Sequence, residues 1–277
     1  MGREMKTVQE RTEEIKKHYD ADPKKEWDRL QKKNPAEKYI TLRMMERYIR
    51  PGDRVLDIGG GPGHYSIHWA RQGHDVTLVD LSDENVKFAK KKAAQYKTHI
   101  TAMQGNALDL SAFEDESFDI VFLMGPLYHL MEKETRLQAI REAKRVLKKG
   151  GYLFCSFILM FGGVIYGARE LQYTIFDEKE KLLYDVAARG EECSFESFTY
   201  TYMTTVKDAK AHFDGMEDLE RVCLFGQESI LAAYRNQMNS IPKKMREAWF
   251  DYAVRFSDKE DYLTHSEHLM IVCRKTK

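Results

Sequence analysis

The sequence has few cysteines and no grouping of them that suggests a metal site or a disulfide framework. The four cysteines lie far apart in the chain and include no Cys-x-x-Cys pair. This spacing is typical neither of a zinc site nor of a disulfide-stabilised secreted domain. We therefore expect reduced thiols, no bound metal and a cytoplasmic location.

Long apolar runs and a net charge are also lacking. The stretch from Arg3 to Lys17 is highly charged and has no apolar h-region, so we expect no signal peptide. The longest apolar candidate, Tyr152–Tyr166, is interrupted by Ser156 and two glycines, so we expect no membrane association. Basic and acidic residues are equal at 44 each, and no overall basic field favours nucleic acid.

The sequence does contain a strand-and-glycine pattern at Val55–Tyr65. A short apolar run ends at Ile58 and is followed at once by glycines and one proline. A second apolar run, Val76–Val79, ends in Asp80. Strand, glycine turn, helix, strand and acidic residue in this order are typical of a nucleotide-binding βαβ unit, in which the acidic residue binds the ribose.

The glycine spacing argues against a nicotinamide dinucleotide. A dinucleotide fingerprint would need glycine at the position of His64. Glycines permit positive φ angles and a close approach to a ligand, and after Asp57 they stand at Gly59, Gly61 and Gly63. The carboxylate of Asp57 would repel a pyrophosphate, so it favours a ligand with a cationic group.

Strand and helix patterns alternate up to residue 157 and predict an α/β fold with a parallel sheet. The predicted strands are 54–58, 75–80, 99–104, 118–124, 152–157, 219–224 and 268–274. Between 158 and 205 the alternation is lost. There, Phe161–Val164 is predicted to be a turn, and alternating aromatics at 195–202 indicate a strand or an extended segment. Asn34 is predicted to cap a helix that begins at Pro35.

Five motifs in order make the chain resemble the class I S-adenosylmethionine-dependent methyltransferases. The resemblance is to the small-molecule, ubiquinone/menaquinone-biosynthesis-like type. It covers about 50–157 continuously and returns in the strand-rich C-terminal part. One glycine motif would be a weak signal, whereas five in the right order are specific. The motifs are Val55–Gly63, Leu78–Ser82, Gln104–Leu110, Ser117–Leu130 and Glu142–Gly151.

The resemblance implies a Rossmann-like, seven-stranded, mostly parallel sheet with helices on both faces and an antiparallel last strand. It also implies a division of the chain into four parts. Residues 1–50 would be an N-terminal helical lid, and 51–157 the cofactor-binding core. Residues 158–205 would be a substrate-lid insert, and 206–277 the rest of the core with a helical insert between its last two strands.

The resemblance further implies a set of residues that bind S-adenosylmethionine and release S-adenosylhomocysteine. The turn would lie against the methionine part of the cofactor, and Asp80 would accept hydrogen bonds from both ribose hydroxyls. Leu81 would pack on the adenine face. The alternative for Asp80 is that it merely caps the next helix. The expected cofactor residues up to this point are Tyr19, Asp57, Gly59, Gly60, Gly61, Gly63, Asp80 and Leu81.

Three more residues would complete the cofactor site. Asn106 and Ala107 would meet the adenine edge, and Met124 would line the methionine side. Asn106 departs from the aspartate that is commoner in the family, and its amide can still form hydrogen bonds without the charge. The alternative is that Asn106 merely makes a turn.

His129 is the best-placed candidate for a catalytic base, because histidine can titrate near neutral pH. A sulfonium methyl is already electrophilic, so in-line orientation of the acceptor can supply much of the rate. A base is needed only where the acceptor must lose a proton. The alternative for His129 is that it packs beside the cofactor or caps the following helix.

The methyl acceptor is expected to be a small molecule, methylated on N, O, S or C. The loop Met124–Leu127 lacks the Asn/Asp-Pro-Pro-aromatic motif of amino-methylating nucleic-acid enzymes. RNA or protein methylation and a non-catalytic cofactor-binding regulator remain as alternatives. Arg29 is expected at the surface, and the alternative is that it reaches a substrate carboxylate. Aromatic residues are expected to form a wall of the acceptor chamber, which would suit a planar, apolar or cationic acceptor. The alternative is that most of them form the core of the insert. These residues are Tyr19, Trp27, Tyr39, Phe161, Tyr166, Tyr173, Phe195, Phe198 and Tyr200.

Overall fold

The structure, a computed structural model, describes residues 6–196 and 199–277. Within these ranges one sheet contains the strands β1 (Arg54–Ile58), β2 (Asp75–Asp80), β3 (Thr101–Gln104), β4 (Phe118–Leu123), β5 (Leu147–Leu159), β6 (Cys193–Glu196), β7 (Tyr200–Thr204), β8 (Leu219–Gly226) and β9 (His268–Lys275). The α-helices are α1 (Val8–Ala21), α2 (Pro23–Asp28), α3 (Pro35–Met45), α4 (His64–Ala70), α5 (Asp83–Gln95), α6 (Lys133–Val146), α7 (Met160–Glu170), α8 (Glu178–Arg189), α9 (Val206–Ala211), α10 (Arg235–Ser240) and α11 (Lys243–Ser257). A π-helical turn, Arg29–Lys33, joins α2 to α3, and 3₁₀ turns lie at Pro126–Tyr128, Gln172–Phe176, Ser229–Tyr234 and Glu260–His265.

The sheet is mostly parallel, as expected. Strands β1 to β5 pair in parallel in the order β3-β2-β1-β4-β5, and β9 then runs antiparallel between β5 and β8. The α/β class and the antiparallel last strand are therefore confirmed. The expected count of seven strands is wrong, because β6 and β7 form an additional hairpin. Strand β4 ends opposite Cys155, which leaves the end of β5 with a free edge, and β7 pairs there at Ile158 and Leu159.

The strands are covered on both faces, which explains their nearly continuous apolar sequences. Alternate residues of β4 enter two different cores. Ile120 and Phe122 pack with side chains of α3, α4, α5 and α11. Val121 and Leu123 pack with side chains of α6 and α9. No described helix has the length and apolar character that crossing a membrane would require.

The predicted turn at Phe161–Val164 is wrong, because these residues lie inside α7. The two glycines serve helix packing rather than a change of direction. A Cβ on Gly162 would lie 2.7 Å from the backbone of Glu267, and one on Gly163 would lie 2.9 Å from the sulfur of Met203. Glycine here allows α7 to approach neighbouring backbone closely.

The N-terminal region contains three α-helices and the π-helical turn, rather than the two helices the sequence pattern suggests. Asn34 does precede α3, with Pro35 as the first helical residue, but its side chain makes no capping bond. Instead its amide donates to the carboxylates of Glu37 and Glu228 at 2.9 and 3.3 Å. Asn34 therefore connects the N-terminal helices with the C-terminal part of the chain.

The antiparallel direction of β9 has a consequence for the site. The parallel strands end at the same edge of the sheet, where Asp80 closes β2 and the glycine turn follows β1. Because β9 runs the other way, its first residue, His268, lies near that edge, opposite Ile158 of β5. The fold thus places a residue from near the end of the chain next to the motifs of its first half.

Candidate cofactor and acceptor site

A cavity lies at the carboxyl ends of the parallel strands, where α/β sheets commonly bind ligands. It brings together almost all the residues expected to form the site. Those that line it are Tyr19, Asp57, Gly59, Gly60, Gly61, Asp80, Leu81, Asn106, Ala107, Met124 and His129. Gly63 is not among the lining residues. Its φ of +89°, and a Cβ position 3.0 Å from the Cβ of Ala89, show that glycine is required there for the packing of α4 on α5.

The glycine turn is a close backbone cradle. Gly59 has a φ of +72°, and its N–H donates to the carbonyl of Val79 at 2.7 Å. A Cβ on Gly60 would lie 2.8 Å from both Leu78 and a carboxylate oxygen of Asp57. A larger side chain at either position would distort the turn or fill the space beside it.

Asp80 is buried at the end of β2, and donors hold its carboxylate in place. One oxygen accepts the Gly61 N–H at 2.7 Å. The other accepts the Ser82 N–H at 2.9 Å and the Asn85 amide at 3.2 Å. Burial raises the pKa of Asp80 despite these bonds. Ser82, and not Asp80, caps α5 through its side chain, so the alternative capping role for Asp80 is wrong.

Asp57 is a buried carboxylate next to the glycine turn. It is 1% exposed, and the hydroxyl of Ser66 donates to it at 2.6 Å. Burial raises the pKa of Asp57 to about 6, and the charge of Asp80 contributes in the same direction. A cationic ligand group nearby would lower this pKa and favour the ionised form.

The adenine-side residues combine local structure with access to the cavity. The side-chain oxygen of Asn106 accepts the N–H of Leu108 at 3.0 Å, so Asn106 does make a turn and also lines the cavity. Asn85 also lines the cavity, although sequence reasoning did not select it. Its side-chain oxygen is buried and has no hydrogen-bond partner within the part of the chain that the structure describes. A ligand hydroxyl or amine would satisfy this oxygen.

Helix α1 closes one side of the cavity through Tyr19. The Tyr19 hydroxyl lies 2.6 Å from Nε2 of His129, and Nδ1 of His129 lies 2.8 Å from the carbonyl oxygen of Tyr200. A carbonyl can only accept, so Nδ1 carries the proton and Nε2 accepts from Tyr19. Burial lowers the pKa of His129 to about 4. This geometry matches the alternative packing role of His129 better than that of a base facing an acceptor.

A second group of polar residues lines the same cavity. We call it the polar wall, and it consists of Arg29, Glu37, Tyr65, Tyr128, Ser156, Gln227 and His268. Sequence reasoning considered Tyr128 as a pocket wall and Arg29 as a partner of a substrate carboxylate, each as a second choice, and it did not select the other five. Arg29, expected at the surface, keeps 35% of its side chain exposed, and its guanidinium also binds Glu37 with two nitrogens at 2.6 and 3.3 Å and lines the cavity.

Behind the polar wall, Glu228 binds His268. Glu228 is 1% exposed, and its Oε1 lies 2.6 Å from Nδ1 of His268. Its Oε2 accepts the Ser266 hydroxyl and the N–H groups of Glu267 and His268, at 2.6 to 3.1 Å. Burial alone would lower the pKa of His268, but the Glu228 charge outweighs it and raises the pKa to about 9. The pKa of Glu228 is lowered correspondingly, although burial opposes this.

Glu37, Glu228 and His268 bring potential metal-ligand atoms within 4.8 Å of one another. Their lone pairs are largely used by protein donors. Glu37 binds Arg29 and Asn34, and Glu228 receives the bonds described above. A divalent cation here would have to displace the guanidinium of Arg29, so the donor set does not favour a metal.

The aromatic residues expected to wall the cavity are mostly elsewhere. Of those in the described ranges, Tyr19 alone lines it. Phe161, Tyr166 and Tyr173 are half-exposed or exposed, whereas the Tyr200 hydroxyl donates to Glu14. Trp27 stacks on His64 at 3.8 Å between ring centroids. The Tyr39 hydroxyl donates to Asp251, Phe195 of β6 is not a lining residue, and Phe198 lies outside the described residues.

Comparisons with known proteins agree on the type of domain. Residues 56–155 match the family model described as a methyltransferase domain. A ubiquinone biosynthesis O-methyltransferase from Xanthomonas campestris pv. campestris (strain B100) is 38% identical over 110 residues. That match covers 40% of this chain and 45% of the relative, so the chain spans less than half the length of this curated protein.

Solved structures share the fold over most of the chain. The 1,6-didemethyltoxoflavin-N1-methyltransferase of Burkholderia thailandensis, solved with 1,6-didemethyltoxoflavin and S-adenosylhomocysteine, superposes with a TM-score of 0.60 at 14% identity. The superposition covers 100% of this chain and 94% of that one. The geranyl diphosphate C-methyltransferase of Streptomyces coelicolor A3(2), solved with Mg²⁺, geranyl diphosphate and S-adenosylhomocysteine, gives a TM-score of 0.53 at 14% identity. It covers 86% of this chain and 78% of that one.

Proposed function

Residues 56–155 form a class I S-adenosylmethionine-dependent methyltransferase domain, and from this premise we propose that the chain methylates a small-molecule acceptor. The observation that carries the proposal is a single cavity with two different halves. The half at the glycine turn suits the cofactor, and the polar wall offers a separate surface for an acceptor. An acceptor and a donor held in one cavity can react through proximity and orientation.

The residues present fit the cofactor. Bound S-adenosylmethionine supplies an electrophilic methyl group on a sulfonium. Asp80 would hold the two ribose hydroxyls, and the buried Asn85 oxygen, which lacks a protein partner among the described residues, would accept another donor of the ligand. Gly59 and Gly60 leave room where a Cβ would collide. The Asp57 carboxylate supplies negative charge near a cationic ligand.

The remaining expected residues would surround the same ligand. Leu81 and Ala107 would pack on the adenine, with Asn106 at its edge, and Met124 would lie on the methionine side. Tyr19 would cover the cofactor from α1, fixed by its hydrogen bond to His129. In this proposal His129 positions Tyr19 and does not remove a proton from the acceptor.

The cover that α1 forms over one side of the cavity supports a small acceptor over RNA or a protein side chain. Besides the bond from Tyr19, α1 is held by Asp20, whose carboxylate accepts the Ser82 hydroxyl at 2.6 Å. The relatives named above act on a toxoflavin precursor, on geranyl diphosphate and in ubiquinone biosynthesis. The balance of 44 basic and 44 acidic residues is consistent with this choice. We also propose that the protein acts in the cytoplasm, because its four cysteines are free, and cell fractionation would test this.

Calorimetric titration with S-adenosylhomocysteine tests the proposal. Asp80→Ala should weaken binding strongly, whereas Asp75→Ala, at the exposed other end of β2, should not change it. Equal affinities for both variants would exclude the assigned cofactor site. Turnover is tested separately with methyl-labelled S-adenosylmethionine and a panel of metabolites. Tight binding without any loss of label across the panel would favour a non-catalytic cofactor-binding regulator.

A further inference from the structure

We propose that His268 binds an ionised oxygen of the methyl acceptor, so that the acceptor class is an oxygen acid such as a phenol or a carboxylic acid. This inference rests on the proposed function, because it assigns the acceptor side of the same cavity. Nothing in the motifs of the first half of the chain points to His268. It is selected by its place in the fold, by its partner Glu228 and by the direction of its ring.

The imidazole ring of His268 faces a buried carboxylate, which sets its charge. Glu228 is fully buried, accepts backbone and hydroxyl donors on Oε2, and faces Nδ1 of His268 with Oε1 at 2.6 Å. A buried carboxylate needs a compensating charge, and His268 supplies it at this distance. The ring is therefore an imidazolium whose Nδ1–H is used by Glu228.

The other ring nitrogen of His268 is Nε2. His268 lines the cavity, with 15% of its side chain exposed. Among residues 6–196 and 199–277 no group hydrogen-bonds Nε2. As both nitrogens of an imidazolium are donors, one charged N–H remains for the contents of the cavity. An anionic oxygen is the strongest partner for such a donor.

Several ionisable groups lie near His268. Glu37 on α3 faces His268, but Arg29 and Asn34 already bind its carboxylate. Tyr128 follows β4, and its ring centroid lies 6.2 Å from that of His268. Glu267, the preceding residue, is paired with Arg169 at 2.6 Å and with Arg235 at 3.7 Å. The acidic neighbours are thus compensated by cations of their own, and the Nε2–H of His268 remains as a positive group facing the cavity.

Methyl transfer to an ionised oxygen needs no base from the protein. An acceptor that arrives ionised has already released its proton to solvent, so no protein base is needed. A lone pair of its oxygen forms the new O–CH₃ bond, the S–CH₃ bond breaks, and that electron pair stays on sulfur. His268 would hold the oxygen at the correct edge of the sheet, which is an effect of orientation. This fits His129, whose ring nitrogens are both occupied by Tyr19 and Tyr200.

The test uses 4-nitrophenol, whose ionised form has its own absorption band, with S-adenosylhomocysteine present. At a pH below the pKa of the free phenol, the full-length protein should bind it and generate the phenolate band. His268→Gln should weaken phenolate binding on the order of tenfold or more, because one charge-assisted hydrogen bond is lost. The neutral analogue 4-nitroanisole should bind the two proteins equally.

The matched control is His265→Gln, at an exposed histidine in the 3₁₀ turn before β9. It should leave the phenolate band unchanged. Since His268→Gln also removes the partner of Glu228, ¹⁵N NMR of the unaltered protein provides a second measurement. It should find His268 protonated on both nitrogens at neutral pH. A neutral His268, no phenolate binding, or phenolate binding that needs added Mg²⁺ would each overturn the inference. S-adenosylhomocysteine binding, followed separately, would still support the proposed function in those cases.

Discussion

The two halves of the cavity are built from the chain in different ways. Apart from Tyr19 of α1, the cofactor half comes from one continuous stretch in which β1, β2 and β4 each end beside the cavity. The polar wall takes Tyr65, Tyr128 and Ser156 from that same stretch, but its charged members come from distant places, with Arg29 and Glu37 in the N-terminal helices and His268 near the end of the chain. The cofactor half relies on backbone geometry and on the carboxylates of Asp57 and Asp80, at the ends of β1 and β2. The polar wall relies on charged side chains that compensate one another.

This difference assigns different tasks to the halves. A backbone cradle such as Gly59–Gly61 binds a constant ligand and leaves little room for substitution. A wall of paired charges can change its specificity by changing side chains while the fold is retained. Its cost is that each buried charge depends on its partner. Substitutions should therefore mainly affect cofactor affinity in the first half, and stability and acceptor choice in the second.

The largest effect is expected from Glu228→Gln, directly behind the polar wall. This change leaves the His268 imidazolium without its counter-charge and weakens several hydrogen bonds. The free energy of unfolding should fall by about 3–5 kcal/mol, as measured when one partner of a buried ion pair is removed. Urea denaturation would show this loss, and Glu220→Gln, at an exposed position of β8, serves as the control. A loss no larger than that of the control would mean that the polar wall does not depend on paired charges.

The same pair predicts a pH dependence of stability. The folded-state pKa of His268 is raised to about 9, so its stabilising effect is complete below the ordinary histidine pKa and is lost as the pH rises through about 9. The pKa of Glu228 is lowered, so its contribution is present above the ordinary glutamate pKa and is lost in acid. Denaturation midpoints measured from pH 5 to pH 10 should therefore decline on the alkaline side. In Glu228→Gln this part of the decline should disappear.

Asp80→Ala, in the cofactor half, is expected to have the next largest effect, and this effect is on cofactor affinity. Two hydrogen bonds from ribose hydroxyls to a carboxylate are each worth roughly 1.5–3 kcal/mol. Affinity for S-adenosylhomocysteine should then fall on the order of a hundredfold or more. The free energy of unfolding should change much less than in Glu228→Gln. The opposite pattern, lost stability with unchanged affinity, would contradict the division of tasks between the halves.

Asp57→Asn should raise the stability of the ligand-free protein and reduce cofactor affinity. Burial raises the pKa of Asp57 from 3.8 to about 6, so the native state is penalised as the pH rises through this interval. Above pH 6 the shift corresponds to about 3 kcal/mol. The substitution should recover about 1–2 kcal/mol of it, because an amide oxygen accepts the Ser66 hydrogen bond less strongly than a carboxylate does, and at pH 3 it should stabilise by nothing. Because a cationic ligand prefers the carboxylate, affinity in the unaltered protein should increase with pH through about 6. Calorimetry at pH 5 and pH 7.5 would measure this, and a pH-independent affinity would count against Asp57 in the cofactor site.

The smallest effect is expected from Tyr19→Phe, a substitution in α1 beside the cavity. It removes one hydrogen bond to His129 and should weaken cofactor binding by about 1 kcal/mol, or several-fold. Tyr39→Phe removes a comparable bond to Asp251 at the surface and should leave binding unchanged. Equal affinities for the two variants would show that α1 does not take part in cofactor binding.

How much the sequence predicts also differs between the halves. The glycine turn, Asp80 and Met124 are encoded locally, since each directly follows or ends an apolar strand, and the cavity contains them as expected. His268 gives no such signal, because its importance comes from β9 running antiparallel next to β5. The sequence did not reveal the pairing of Arg29, because its partner Glu37 lies on the following helix, across the π-helical turn.

Two further differences have local physical causes. Gly162 and Gly163 read as a turn because glycine usually breaks helices, but here they allow α7 to pack closely against Glu267 and Met203. The hairpin of β6 and β7 depends on the free edge at the end of β5, which no short sequence window reveals. Contacts between residues far apart in the chain thus explain the features that the sequence did not predict. The four-part division of the chain stays a prediction.

The most direct test of the central claim is a crystal structure with S-adenosylhomocysteine. The account predicts the ribose hydroxyls within hydrogen-bond distance of the Asp80 carboxylate and the adenine against Leu81. It also predicts that the sulfur faces the space between Tyr128 and His268. A ligand bound elsewhere, or one bound with its sulfur turned away from the polar wall, would contradict it.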